Sequence, residues 1–382
     1  MLAVGLMSGT SLDGIDAALV RIEPRNSSYA LELLRFRTEP FDDDLARALR
    51  AALPPHSASA LELAELNRAM GIAFARAARA VAGALTIDYV ASHGQTIFHD
   101  GPRHLTLQIA DPFVIREALH ATVCFDFRSA DCAVGGHGAP LVPYVDALLL
   151  ADRDEDRVAV NIGGIANITA LPRCSEPNDV IAFDTGPGVM LIDAFVHART
   201  GGERSMDEDG ELAANGTIDA LLLEAMLADP YFAAAPPKST GRERFGAHFL
   251  HAHPRLAECS LEDGAATLTE LTARTIALGV RHSGLAGARV LCSGGGARNL
   301  SILTALSRAL PEARIETSDA VGLPIDAKEA IAFAVLGYET LRERAANVPR
   351  VTGASRAVPL GAIAPLNVRE LLAEVERECL SM

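Results

Sequence analysis

Apolar residues fall along this chain in two repeating forms. Some make short runs bounded by Gly, Ser, Thr or Asp; others recur every three or four positions through long Ala/Leu/Arg/Glu stretches. The first form predicts strands and the second predicts amphipathic helices. Strands are expected over residues 2–6, 15–22, 31–36, 89–92 and 122–125, with helices over 43–53 and 61–85. A second cycle opens at 158–171, where two apolar runs flank Gly163-Gly164 and echo the Gly-bent pair at the N-terminus. It continues through a strand at 180–183, helices at 190–199, 210–227 and 264–282, a strand at 289–292, and helices at 299–310 and 327–343. Such alternation predicts α/β architecture. A Gly-bent hairpin opening each half predicts two similar domains facing across a cleft, with the boundary inside 127–156.

Length and charge narrow the picture. The 382 residues are about twice a usual single domain. With 49% apolar and 22% charged residues the chain is globular. The net charge of −15 repels a phosphate backbone, which argues against nucleic-acid partners. A small anion is still allowed, because fixed N–H groups and a metal ion can hold one. Cys124, Cys132, Cys174, Cys259, Cys292 and Cys379 form no C-x-x-C pair and no zinc spacing. With no basic leader and no apolar run approaching roughly 20 residues, a cytoplasmic location away from membranes is expected.

Candidate chemistry gathers at the bends. The first is Gly5-Leu6-Met7-Ser8-Gly9-Thr10-Ser11-Leu12-Asp13-Gly14-Ile15-Asp16. Small residues after a buried strand let N–H groups and hydroxyls converge on phosphate, although a lone cluster of this kind is more simply a polar hairpin turn. No Lys follows Gly9, so this is not a Walker A loop, and no complete G-x-G-x-x-G occurs. Ser293-Gly294-Gly295-Gly296 leads a strand toward a helix, which suits backbone approaching a flat ring or a phosphate; a flexible connection is the alternative. Phe183-Asp184-Thr185-Gly186 delivers a carboxylate at a strand end, where a general base or a helix cap would both fit. The 92–99 run, with His93, Gln95 and His99, offers polar groups for sugar hydroxyls or an amide rather than zinc ligands. Asp326-Ala327-Lys328-Glu329 and Thr240-Gly241-Arg242-Glu243 both have capping-box spacing, the second in a loop that reads as solvated.

In order along nearly the whole chain, the 5–16, 92–99, 161–167, 183–188, 236–243, 294–299 and 326–329 segments resemble those of the anhydro-N-acetylmuramic acid kinases. So do Phe127-Arg128-Ser129-Ala130-Asp131 and Gly135-Gly136-His137-Gly138-Ala139-Pro140. That family of bacterial sugar kinases falls within the acetate and sugar kinase, heat-shock ATPase and actin superfamily. Ala110 departs from the pattern, where Gly is expected. The resemblance implies duplicated actin-like ATPase (ribonuclease H-like) domains: an N-terminal one at 1–128 and a C-terminal one at 129–382, its extreme C-terminus packing back on the first.

The resemblance also implies ATP and Mg²⁺. Gly9, Thr10, Ser11, Leu12, Asp13, Gly14, Ile15 and Asp16 would form the phosphate loop, Gly163 and Gly164 a second phosphate-facing turn, and Gly294, Gly295 and Gly296 the adenosine side. Asp184 is expected to be the base, and His93, Gln95, Arg128 and Glu329 to bind the sugar; no metal ligand is assigned. The implied reaction converts 1,6-anhydro-N-acetylmuramic acid, water and ATP into N-acetylmuramic acid 6-phosphate and ADP, in peptidoglycan recycling, with a homodimer as the expected assembly. The rivals are a kinase for another hexose or amino sugar and a non-sugar actin-like ATPase. Ligand-dependent closure is expected, jointed at 127–138 and at a return near 347–353.

Overall fold

A computed structural model describes residues 1–380 apart from Thr10, Ser11, Asp13, Asn26, Ser27, Pro55 and Pro237. Its strands are β1 (Leu2–Ser8), β2 (Gly14–Arg25), β3 (Ser28–Pro40), β4 (Tyr89–Asp100), β5 (Leu105–Ile109), β6 (Thr122–Phe125), β7 (Arg157–Ile162), β8 (Ile165–Leu171), β9 (Ile181–Pro187), β10 (Arg289–Ser293), β11 (Arg314–Thr317) and β12 (Ala362–Ala364). One sheet runs β3-β2-β1-β4-β6, with β12 added beyond β6 and β5 folded back on β4. Its first three strands are antiparallel, and β4 and β6 then join in parallel. The other sheet runs β9-β8-β7-β10-β11 with the same change from antiparallel to parallel. One topology therefore occurs twice, which is the duplicated ribonuclease H-like fold of actin-like ATPases.

The chain divides into two compact units, Met1–Leu149 with Ala327–Met382, and Leu150–Asp326. This differs from a boundary at 128/129, and the return involves far more than the extreme C-terminus. The helix Lys328–Leu341 packs on β1, β2 and β4 with nearly every residue buried, and β12 pairs antiparallel with β6. Residues 127–138 and 347–353 both lie inside the first unit, so neither is the crossing between units. Asp131, fully buried, ties them together: Gly138 N–H donates to its Oδ2 at 2.8 Å, while Asn347 Nδ2 and Thr352 Oγ1 donate to its Oδ1, each at 2.7 Å.

Each unit has its own core. In the first, Val4, Leu6, Leu19, Val90 and Val123 of the sheet meet Met70, Phe74 and Val81 of the helix Ala60–Ala82. In the second, Val158, Val160 and Ile168 meet Leu268, Leu271 and Ile276 of the helix Leu261–His282. A Ser59/Glu62 capping box starts the helix Ala60–Ala82, and Gly83, at φ +63°, ends it short of the expected 85. The helix expected at 210–227 is split into Glu211–Asn215 and Ala220–Leu227, because Asp219 caps the second piece by accepting from the Leu221 and Leu222 N–H groups.

Candidate functional site

In the second unit, Asp184 sits within β9 opposite Asn167 of β8, beside a break in register at Ala166/Asn167. The following helix, Met190–Arg199, has Val189 at its N-cap, so Asp184 is not a capping residue. Lys238 and Thr240 bond to this strand, while Ser239, Arg242 and Glu243 of the same loop stand exposed, as a solvated loop would. Asp184 N–H donates to the Lys238 carbonyl at 3.2 Å, and Thr240 N–H donates to Asp184 Oδ2 at 2.9 Å. Tyr231 OH donates to the Asp184 carbonyl at 2.8 Å; Lys238 Nζ donates to the Tyr231 carbonyl at 3.0 Å and lies 4.6 Å from the Tyr231 ring centre. No Thr240/Glu243 capping box forms, since the next helix, Ala247–His251, begins after Gly246. Burial pushes the Asp184 carboxyl up to about 6, against the pull of the Thr240 N–H and with help from the Glu243 charge. A rigid carboxylate with that value is ionised at neutral pH yet basic enough to take a proton.

Several of this unit's glycines approach the β7–β8 turn. Gly188 N–H donates to the Gly164 carbonyl and Val189 N–H to the Gly163 carbonyl, both at 2.9 Å. A Cβ on Gly188 would fall 2.1 Å from the Gly163 carbonyl oxygen, so only glycine permits this approach. Gly294, at φ +80°, would put a Cβ 2.5 Å from Asn161 Oδ1, whereas Gly295 faces open space. Gly163, Gly164, Gly294 and Gly296 thus gather around the end of β7. A 3-10 turn, Gly295–Arg298, separates the glycines from the helix Leu300–Ala309, which Asn299 caps.

In the first unit, the β1–β2 connection is braced from below. Ser8 Oγ lies 2.7 Å from Gln95 Oε1 and 2.8 Å from the Gly14 carbonyl, while Gln95 Nε2 donates to the carbonyls of Gly9 (3.3 Å) and Thr96 (3.2 Å). Gln95 is fully buried and its amide is spent on this turn. Leu12 and Ile15 send their side chains into the core, leaving only backbone for a ligand, and Asp16 accepts from Thr38 Oγ1 at 2.6 Å. Thr10, Ser11 and Asp13 lie outside the described residues.

His93 is buried against Phe333, its Nδ1 2.8 Å from the Gly94 carbonyl. Burial, reinforced by the Arg128 charge, holds it well below the usual histidine value, so it is neutral and its Nε2 accepts from Arg128 Nε at 2.9 Å. Arg128 Nη1 donates to the Gly138 carbonyl at 2.7 Å. Burial lowers Arg128 to about 10, opposed chiefly by Glu329, and it stays cationic at neutral pH. Glu329 is itself pushed up by burial against Lys328 and Arg128. The expected Asp326/Glu329 capping box is absent: Ala327 caps with no side-chain bond, and Asp326 pairs with Arg298. A cavity of about 140 Å³ opens beside His93, lined by Ser92, Thr106, Gln108, Asp126 and Ser129 among others. Ser92 Oγ is buried there with no hydrogen-bond partner among the described residues.

Among the described residues no three His, Cys, Asp or Glu side chains gather as metal ligands, and no helix is long and apolar enough to cross a membrane. A bound Mg²⁺ usually takes one or two carboxylates and draws its other ligands from phosphates and water, so this donor set does not conflict with Mg²⁺ arriving with ATP.

Comparisons with known proteins bear on the whole chain. A family profile described as anhydro-N-acetylmuramic acid kinase matches residues 1–366. Curated proteins of that name from Gloeobacter violaceus (44% identical; 95% of this chain, 98% of theirs) and Streptomyces avermitilis (43%; 96% and 94%) are similar to it. So is that from Caldanaerobacter subterraneus (39%; 95% and 96%). Among solved structures, the activator of the 2-hydroxyisocaproyl-CoA dehydratase from Clostridium difficile with bound ADPNP is 13% identical, with a TM-score of 0.44 over 90% of this chain and 98% of that one. Matched by the family profile from its first residue to 366 and by full-length relatives at about two in five identical positions, this chain belongs to the anhydro-N-acetylmuramic acid kinase family.

Proposed function

We propose that this protein uses ATP and water to open 1,6-anhydro-N-acetylmuramic acid and phosphorylate O6, giving N-acetylmuramic acid 6-phosphate and ADP. The observation that carries this reading is Asp184: a strand-borne, largely buried carboxylate pushed up to about 6, in a chain whose relatives bear that kinase name. Asp184 takes a proton from water as the water oxygen bonds to C1. The C1–O6 bond breaks, and O6 bonds to the γ-phosphorus as ADP leaves, so no separate acid need protonate the bridge oxygen. Mg²⁺, when bound with ATP, spreads charge on the transferring group. The β1–β2 and β7–β8 turns supply backbone N–H groups to phosphate, and Gly294–Gly296 lie on the adenosine side. Arg128 and Glu329 meet the sugar; His93 and Gln95, whose polar atoms are already engaged, support Arg128 and the Gly9 turn from behind. A homodimer in the cytoplasm completes this reading. Free thiols at Cys124, Cys132, Cys174, Cys259 and Cys292 suit a reducing compartment, and light scattering on the purified protein reads the assembly.

The test is ADP release across a panel of sugars: only the anhydro-sugar should support it. In H₂¹⁸O, label should appear on C1 when read before anomeric exchange, and the phosphate should stay unlabelled. Label in the phosphate would mean that water attacks phosphorus. A second result follows from the raised Asp184 carboxyl. The base must be ionised, so kcat/KM for the sugar should rise with pH and reach half its plateau near pH 6; a limb below about 4.5 would show that another group, or none, acts as base.

A further inference from the structure

β9 is the outer strand of its sheet, so the backbone groups along its open edge have no strand to pair with. At Asp184 those groups are nevertheless engaged. The N–H and C=O of one strand residue point the same way, and here both meet the 231–240 segment. Asp184 N–H donates to the Lys238 carbonyl at 3.2 Å, and Tyr231 OH donates to the Asp184 carbonyl at 2.8 Å. A side-chain hydroxyl thus stands where a neighbouring strand would offer an N–H. The register break gives this tie its importance: Asn167 faces Asp184 and Ala166 faces Gly186, so Thr185 has no opposite number and β8 grips this part of β9 less regularly. Tyr231 is itself fixed from several sides. Asp229 caps the short helix Pro230–Ala233 and accepts from Tyr231 N–H at 2.8 Å, and Arg244 pairs with the same carboxylate. The buried ring meets Phe245 edge-on at 5.6 Å between centres, with Lys238 Nζ 4.6 Å and the Arg244 guanidinium 5.4 Å from its own centre. Lys238 Nζ closes the clip by donating to the Tyr231 and Phe232 carbonyls. Burial, and after it the Asp184 charge, push the Tyr231 phenol up, so the hydroxyl keeps its proton and remains a donor.

We infer that Tyr231 is the positioning residue of the base: its hydroxyl holds the Asp184 main chain at the open edge of the sheet and so fixes where the carboxylate stands. This rests on the kinase reading above. Tyr231 touches no reacting atom and exchanges no proton. It acts through Asp184, whose carboxyl carbon lies only two bonds from the Cα that this tie restrains, so a shift of the main chain carries the base with it. A misplacement of about 1 Å can cost about 10²-fold in rate. The same tie keeps water from the strand edge beside the carboxyl. The charged groups that act there are Glu243, whose charge raises Asp184, and the cations Lys238 and Arg244, which lie against the Tyr231 ring.

Tyr231→Phe keeps the ring and its contacts and deletes only the hydroxyl. It should lower kcat on 1,6-anhydro-N-acetylmuramic acid by roughly 10-fold, with KM for ATP changed less than about twofold. Water that replaces the hydroxyl relieves the burial of the Asp184 carboxyl, and burial is the largest cause of its rise to about 6. The acidic limb of the pH profile should therefore move down by at least about half a unit. Lys238→Met, which cuts the clip at its other tie, serves in place of the phenylalanine variant if that one does not fold, with the same two expected changes. Phe249→Leu is the control for stability alone. Phe249 packs on Phe245 and His253 in the same aromatic cluster, so this variant should melt at a lower temperature yet keep kcat within about twofold and the limb at the wild-type pH. A kcat for Tyr231→Phe above half of wild type would overturn the assignment, and so would a limb that stays at the wild-type pH. A tenfold loss of kcat in Phe249→Leu would overturn it too, since turnover would then follow the stability of the cluster. If wild type itself gave no ADP with this sugar, the kinase reading would fail and this assignment with it; wild-type turnover with an unaffected phenylalanine variant would remove this assignment alone.

Discussion

Asp184→Asn should lose roughly 10²–10⁴-fold in kcat while gaining stability above pH 6. The amide is nearly the size of the carboxyl, and its Oδ1 can still accept from the Thr240 N–H, so the 236–243 loop has no reason to leave. What disappears is the proton acceptor. The sign of the stability change follows from burial, which raises the folded carboxyl from its ordinary 3.8 to about 6. Ionisation therefore costs the native state more than the unfolded one, and stability falls as pH rises from about 4 to about 6. Asparagine has no proton to lose, so the variant escapes that fall and should be more stable than wild type by about 1–2 kcal/mol at pH 7.5, with little difference at pH 4. Nucleotide affinity should stay within about twofold. A near wild-type kcat would remove Asp184 as the base, and a variant less stable at pH 7.5 would contradict the burial argument. Loss of turnover joined to a gain in stability separates a working carboxylate from a structural one.

The second large effect is expected at Asp131. Asp131→Ala withdraws the shared acceptor of Gly138 N–H, Asn347 Nδ2 and Thr352 Oγ1 from a site with no exposure. Each buried donor left unpaired costs about 1–3 kcal/mol, and partial entry of water brings the total to about 3 kcal/mol. Urea unfolding followed by a probe in the first unit reads this directly; a midpoint unchanged from wild type would mean that the three donors find other partners. Activity should fall too. The Gly138 carbonyl anchors Arg128 Nη1, and a loosened 135–138 loop frees that guanidinium, so KM for the sugar should rise more than kcat falls. His93→Ala should weaken the same Arg128 from the other side, at Nε.

Much of the fold is legible in local sequence because it arises from local physics. The apolar runs 15–22 and 165–171, each joined to the run before it by a short connection of small residues, read locally as the second strands of hairpins. Ser59 and Glu62 announce a helix start through a capping box that forms within four residues. The position of Asp184, one residue past an apolar run and just before a Gly/Pro turn, marks it as a carboxylate on a strand. Burial then decides what local pattern left open, by excluding the helix cap and raising the acid.

The remaining features depend on contacts between residues far apart in the chain. Three-residue β12 has no periodicity to detect and becomes a strand only because β6 offers it an edge. Capping-box spacing at 240–243 and 326–329 is present without the box, because Thr240 N–H and Asp326 find stronger partners in Asp184 and Arg298. Asp131 reads as one acid among many, yet its donors come from positions 138, 347 and 352. By itself the sequence determined the hairpin that opens each half, the longer helices, the glycine bends and the candidate base, while β5, β11 and β12 escaped it. Tertiary structure alone decided which unit owns the C-terminal return, which polar side chains serve as braces, and that the Thr240 N–H reaches Asp184. Burial and hydrogen-bond satisfaction are properties of a packed surrounding, and no window of sequence contains one.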